Sequence, residues 1–277
     1  MHPILAQRAG QGQQRAVGRC LDRFHPPPPA PARVGRRLAD RRNRNVAAFA
    51  QDRYNALQAK TRGVTRAGYK IGLTSTAMQA MCGIDTPVAG AVYTDRVHSS
   101  GVVLKPSSYG RFGIEFEIAV RLGRDLVPSG RSGRPVMLAD VVAAIDGVAP
   151  AIEVVDDRGC DYKTLDVLSL VADNAWNAGI VVGAFQSTWP DLSLVEGSVT
   201  TEDGSVLDTG RGADVLGNPF LSVVWLAEHL ATSGESLRAG DIVMTGSMVT
   251  TKFPTTSGRF RFEVSGLGFV EVQVDAT

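Results

Sequence analysis

The sequence predicts an α+β chain in which a small helical N-terminal part precedes a β-rich core, and three stretches carry that prediction. From Gly113 to Leu122, apolar residues at 114, 116, 118, 120 and 122 alternate with Glu115, Glu117, Ala119 and Arg121. That two-residue period is the mark of a strand with one buried face, and it sends both carboxylates to the same side. Ala149 to Arg158 is an apolar run that reads as a largely buried strand with Glu153 inside it. The tail, Gly240 to Ser247 and then Phe260 to Val274, alternates and is broken by glycines, and also reads as strands.

Taken in order, residues 1 to 45 contain little that would fold. His25 to Pro31 reads as extended polyproline-like chain, and Arg33 to Arg44 is arginine-dense. A basic arm for nucleic acid, an organelle transit peptide, and a disordered or wrongly translated leader compete here. The stretch lacks the amphipathicity and serine of a transit peptide, and no nucleic-acid fold or stacking aromatics accompany it. Low hydrophobicity with high charge cannot offset the entropy of ordering, so the third reading is expected. Helical character begins near Val46 and stops at Gly63. Gly68 to Leu73 reads as a short strand carrying Lys70, followed by a helix over Ala77 to Cys82 capped by Thr74 or Ser75. Gly63 to Lys70 has the outline of a phosphate loop, but Tyr69 separates glycine from lysine and Ile71 replaces the Ser/Thr, which excludes it.

Residues 87 to 112 read as turns and short strands, and Leu138 to Ile145 as a helix with Asp140 in its first turn. Asp173 to Gly179, ahead of the buried strand Ile180 to Gly183, is either turn chemistry or a substrate-facing loop. Gly210 to Gly217 misses the dinucleotide spacing and reads as a loop. Asn218 caps and Pro219 opens the clearest helix, Pro219 to Thr232, closed by Gly234, with His229 an ordinary helix residue. The division follows: an atypical leader over 1–46, a helical part with a pocket strand over 47–110, and the β-rich core over 111–277.

With 277 residues the chain can bury a substantial core, and it has no apolar run long enough for a membrane helix. Cys20, Cys82 and Cys160 are scattered and odd in number, which points to a reducing, cytoplasmic setting without disulfides. The four histidines are equally dispersed and make a His-based zinc site a poor expectation. Residues 1–66 carry 14 Lys and Arg against 3 Asp and Glu, whereas the rest carries 15 against 25. The acidic excess therefore sits in the part that folds.

Glu115 and Glu117 stand about 7 Å apart along one strand face and repel unless water or a cation intervenes. On its own a Glu-x-Glu pair is more often a solvated outer face. Glu153 adds a third carboxylate that a buried strand must partner, and an all-oxygen set suits Mg²⁺, Mn²⁺ or Ca²⁺ better than Zn²⁺ or copper. Spacing alone does not show that the two strands meet. Thr245, Gly246 and Ser247, at a strand end, either donate hydrogen bonds to a carboxylate ligand or form a plain turn.

Together, Gly68 to Ser75, Glu115-x-Glu117, Pro150 to Glu153, Ala172-Asp173-Asn174 and Gly240 to Gly246 resemble the 2-keto-4-pentenoate hydratase / 2-oxo-3-hexenedioate decarboxylase family of the fumarylacetoacetase superfamily. The resemblance runs from about Ala48 to the end. It implies a mixed β-sandwich or rolled β-barrel core, with Mg²⁺ or Mn²⁺ held by Glu115, Glu117 and Glu153 and with Lys70 in the substrate pocket. It further implies substrate contacts from Thr74, Asp173, Asn174, Thr245 and Ser247, a 2-oxo or 2-hydroxydienoate substrate, and a homo-oligomer, with a decarboxylase or hydratase as a conceivable partner. Hydration of a 2-hydroxy-2,4-dienoate is the first activity expected; vinylogous decarboxylation, acylpyruvate hydrolysis and a non-catalytic partner role follow. Lys70, as a buried amine, is expected to have a lowered pKa and to move protons or orient the substrate. One departure is Val88, where the hydratases commonly carry Asp; Asp85 and Asp95 are not obvious replacements. The leader does not resemble the family's N-terminal helices, which is consistent with a misassigned start upstream.

Overall fold

Strand formation from Phe112 to Leu122 is as the alternation predicts, but both of its faces are buried, because the sheet to which it belongs curls around it. A computed structural model describes residues 41–127 and 134–277, and the expectations for residues 1–40 lie outside them. Helix α1 (Arg41–Arg62) begins ahead of the predicted Val46, so residues 41–45 are helical. There follow β1 (Arg66–Gly72), α2 (Thr76–Met81), β2 (Val88–Tyr93), β3 (Val97–Ser99), β4 (Val102–Leu104) and β5 (Phe112–Leu122). Next come α3 (Leu138–Ala144), β6 (Ile145–Asp156), α4 (Val167–Ala172), β7 (Asn177–Val182), β8 (Glu196–Thr201) and β9 (Val206–Arg211). The chain closes with α5 (Pro219–Ala231), β10 (Ile242–Ser247), β11 (Gly258–Val264) and β12 (Gly268–Val274).

Local chemistry sets several of these boundaries. Ser75, rather than Thr74, caps α2, accepting from Met78 N. Asn218 Oδ1 accepts from Phe220 N with Pro219 in the first turn of α5. Gly210 and Arg211 finish β9 in place of the predicted loop, because Gly197 and Glu196 of β8 pair with them. Glycine at 210 lets the strand lie close against Met248, where no side chain would fit.

Seven strands form one mixed sheet in the order β2-β1-β10-β5-β6-β7-β3, and five form a second in the order β4-β12-β11-β8-β9. The second sheet packs on β6 and β7 of the first, with Phe116 against Phe262 at 5.5 Å between ring centroids, and Ile114, Ile118, Val199, Val270 and Val272 fill the space between. On its other face the first sheet curls until β2 approaches β7, wrapping Val92, Ala119, Ala151, Ile180 and Met244 into a second small core. Of the two expected forms, then, the sheets stack, and the roll stops short of a closed barrel.

Among the described residues no ladder joins β2 to β7, and the Asn174 side chain bridges the gap. Asn174 Oδ1 accepts from Ala91 N at 2.7 Å while Asn174 Nδ2 donates to Ala91 O at 2.9 Å, so the amide stands in for a strand partner. Asn174, Ala175 and Trp176 all have φ between +48° and +62°, a left-handed run that only surrounding structure can enforce. A side chain at Gly90 would stand 2.4 Å from Asn174 O. Gly90→Ala is therefore expected to push this bracket away and destabilise the fold by about 1–3 kcal/mol, read as a lower Tm, whereas an unchanged Tm would show that the roll closes without it.

Candidate metal centre

Antiparallel pairing of β5 with β6 places Glu115 directly opposite Glu153, and Glu117 follows two residues along the same face. Register thus supplies the proximity that spacing could not. One ligand oxygen from each of the three carboxylates lies within 4.8 Å of the others. Glu117 and Glu153 are fully buried inside the roll and Glu115 is half-buried, so the solvated-face reading of Glu-x-Glu does not apply.

Each carboxylate is held at one oxygen. Glu117 Oε2 accepts the Gly246 N–H at 2.8 Å, Glu115 Oε1 accepts the Thr251 hydroxyl at 2.5 Å, and Glu153 Oε1 accepts Asn177 Nδ2 at 2.9 Å with Lys70 Nζ at 3.3 Å. Glu117 Oε1 and Glu153 Oε2 are buried and have no partner among the described residues. Asp157, also fully buried, shows the opposite arrangement: Arg111, Tyr162 and the Gly159 N–H cover both of its oxygens. Its carboxyl is accordingly held below the usual range, those bonds outweighing the effect of burial. In the cluster the direction reverses. Burial and then the neighbouring Glu153 and Glu115 push Glu117 well above the ordinary carboxylate value, and burial pushes Glu153 up to about 7 against the pull of Lys70.

Two like charges 4.8 Å apart repel by roughly 3.5 kcal/mol at an effective dielectric constant near 20. Three such pairs against a single ammonium would consume much of a domain's stability of about 5–15 kcal/mol. The site is short of positive charge, its free donors are all oxygen, and two of them are buried and unpartnered. Those residues fit a hard divalent cation.

Lys70 lies on β1, whose pairing with β10 and β2 puts it opposite Met244 and Gly90 and 4% exposed. The expectation of a lowered pKa is corrected: burial pulls it down, but Glu153, Glu115 and Glu117 outweigh burial and hold the ammonium above its ordinary value. Val88 stands beside it, since Lys70 Nζ and Val88 Cγ2 lie 3.1 and 3.5 Å from the point where a Gly72 side chain would begin. Asp95 is engaged with Arg62 at 3.1 Å.

The remaining residues singled out from the sequence are placed more variously. Thr74 is buried against Gly246, where a φ of +113° and the 2.4 Å that would separate an added Cβ from Thr74 Oγ1 admit only glycine, and the Gly246 N–H points at Glu117. Thr245 Oγ1 donates to Ile118 O, and Ser247 Oγ donates to Val249 O while accepting from Phe116 N. Asp173 pairs with Arg158 at 2.8 Å, and both ends of the Asn174 amide are on Ala91. The structure thus brings Lys70 and the three glutamates together, with Thr74 adjoining through Gly246. Asn177 and Thr251 went unrecognised in the sequence. Asn177 lies in the polar Asp173–Gly179 stretch but on the wrong side of a simple two-residue period, and Thr251 sits in a segment with no motif.

A family model described as the fumarylacetoacetate (FAA) hydrolase C-terminal domain matches residues 84–275. The chain belongs to the fumarylacetoacetate hydrolase family. Within that family it is 36% identical over 224 residues to a 2-keto-4-pentenoate hydratase of Burkholderia vietnamiensis, covering 80% of this chain and 83% of the relative. It is also 36% identical to a 4-oxalocrotonate decarboxylase of Pseudomonas putida over 213 residues, 76% of this chain and 78% of that one. Among solved family structures, 4-oxalocrotonate decarboxylase from Pseudomonas putida G7, complexed with magnesium and adipate, superposes with a TM-score of 0.76 at 32% identity, covering 84% of this chain and 86% of the other. The resemblance drawn from five short motifs is thereby upheld over most of the chain, and so is the fold it implied.

Proposed function

We propose that the protein is a metal-dependent hydratase that adds water to a 2-hydroxy-2,4-dienoate to give a 4-hydroxy-2-oxo acid, with Glu115, Glu117 and Glu153 holding Mg²⁺ or Mn²⁺. The observation that carries this reading is the convergence of three carboxylates, two with buried unpartnered oxygens, beside a buried lysine. Relatives named 2-keto-4-pentenoate hydratase in several organisms support the choice of reaction. A bound divalent ion supplies a Lewis acid for the carboxylate and keto oxygens of a 2-oxo acid and so favours charge on the keto oxygen.

The chain's own contribution is proton handling. Lys70 Nζ carries a proton at the rim of the cluster, and three carboxylates hold it there. With their charge offset that hold would weaken, and the Lys70 ammonium would be free to give its proton to the dienoate. Protonation at C5 of a 2-hydroxypenta-2,4-dienoate, with loss of the 2-hydroxyl proton, gives the 2-oxo-3-enoate; one water then adds across C3–C4, its hydroxyl going to C4 and its proton to C3, so that no net proton is consumed. With Val88 beside it, Lys70 has an apolar neighbour where an acid would otherwise share this work.

Vinylogous decarboxylation of 2-oxo-3-hexenedioate is the second reading, favoured by the 36% identity to a decarboxylase and by the magnesium-bound decarboxylase structure. Purified protein with Mg²⁺, offered both substrates, separates them. Loss of dienoate ultraviolet absorbance without CO₂ is the expected result. CO₂ release from the hexenedioate would select the decarboxylase, and inertness towards both would overturn the assignment.

A further inference from the structure

We infer that Asn177 and Thr251 are positioning residues of the metal centre, each occupying one oxygen of a glutamate so that the other is presented to the cation. This rests on the metal reading above.

Among the described residues three donors touch the cluster besides Lys70, and each is delivered by an irregularity in the sheet. On β7 the register with β6 runs Ile180 opposite Glu153 and Gly179 opposite Val154, then skips a residue to set Asn177 opposite Val155. Opposed residues in an antiparallel pair share a face, and Val155 shares the face of Glu153. Without the bulge Ala178 would take that place and Asn177 would point to the other side. The extra residue, with Gly179 at φ +151° and the left-handed run from Asn174 to Trp176 before it, turns Asn177 onto the cluster. Its amide meets Glu153 Oε1 through Nδ2, the only end that can donate to a carboxylate.

On β10 the same device recurs. Met244 pairs with Ala119 and Ser247 with Glu117, three residues against two, and the bulge releases the Gly246 N–H from the ladder to Glu117 Oε2. Thr251 arrives by a third route: Lys252 makes an isolated antiparallel bridge with Ile114, which sets Thr251 across from Glu115 and within 2.5 Å of its Oε1. Donors meant only to satisfy buried acids would cover both oxygens, as they do at Asp157. Here they stop at one, and for Glu117 and Glu153 the second oxygen is left buried and open. Partners of this kind commonly change metal affinity by about 10–100-fold when removed.

The test is Mn²⁺ affinity of the full chain by calorimetry together with the Mn²⁺ electron paramagnetic resonance spectrum, on wild type, Asn177→Leu, Thr251→Val and Thr251→Ser. The two donor-deleting variants are expected to raise the Kd about 10–100-fold and to alter the spectrum of the bound ion, while Thr251→Ser, which keeps the hydroxyl, returns both to wild type. Should Asn177→Leu fail to fold by circular dichroism, the Thr251→Val and Thr251→Ser pair decides. Wild-type affinity and spectrum in Thr251→Val, or in a folded Asn177→Leu, would overturn the inference. Absence of Mn²⁺ binding by the wild type would instead overturn the metal reading, and this one with it.

Discussion

Glu117→Gln is expected to remove tight Mn²⁺ binding and turnover together, yet to make the metal-free protein melt higher than wild type. Glutamine keeps an acceptor for the Gly246 N–H, so the β10 bulge survives. What changes is the other end: the unpartnered Oε1 becomes an amide nitrogen, which offers a cation no lone pair. Loss of several kcal/mol of charge stabilisation corresponds to a fall in kcat of about a thousandfold or more. The gain in the metal-free state follows from the like charges within 4.8 Å, one of which disappears. Replacing buried ionic groups by neutral ones of similar size is often stabilising by up to about 4 kcal/mol, so the Tm in excess chelator should rise by several degrees. With Mn²⁺ at about a thousand times its Kd the order reverses, because wild type alone gains about 4.1 kcal/mol from binding. Calorimetry, steady-state rates and paired melts with chelator or Mn²⁺ read all three quantities. A metal-free variant that melts lower, with Mn²⁺ binding intact, would mean that Glu117 serves the core and not a cation.

Much of this centre was legible in the sequence, and what escaped has a common physical cause. The alternation around Glu115 and Glu117 and the apolar run around Glu153 singled out the three carboxylates that converge, because a regular strand keeps its two-residue period. That Glu115 faces Glu153 depends on a register between strands about 40 residues apart, which no local pattern encodes. Burial of Glu117 was missed for a related reason: a sheet that rolls makes an interior of the face a flat sheet would expose. Asn177 and the Gly246 N–H lie where bulges break the period, so the period pointed away from them. Asn174 was singled out for its polarity beside an apolar run, and its amide turns out to close the roll on Ala91. The direction of the Lys70 pKa was misjudged because burial was weighed without the three carboxylates that register brings to it.

Lys70→Met should separate proton transfer from metal holding, since the two effects are expected to move in opposite directions. Methionine retains the apolar stem and loses the ammonium, so packing along β1 is largely kept. Removal of a positioned proton carrier lowers kcat by about 10²–10⁴-fold. Metal affinity, however, should hold or tighten, because a positive charge 3.3 Å from Glu153 Oε1 opposes a cation bound to the same carboxylate. Without metal the variant leaves three carboxylates with no ammonium among them, and loss of one partner of a buried pair costs about 3–5 kcal/mol. A marked drop in Tm in chelator, recovered on adding Mn²⁺, is the expected pattern, and it is the inverse of that for Glu117→Gln. Measured together, kcat, Mn²⁺ Kd and the two melts leave little room for a shared cause. A kcat within tenfold of wild type would remove Lys70 from the chemistry, and a Kd that rises as in Glu117→Gln would reduce it to a prop for Glu153.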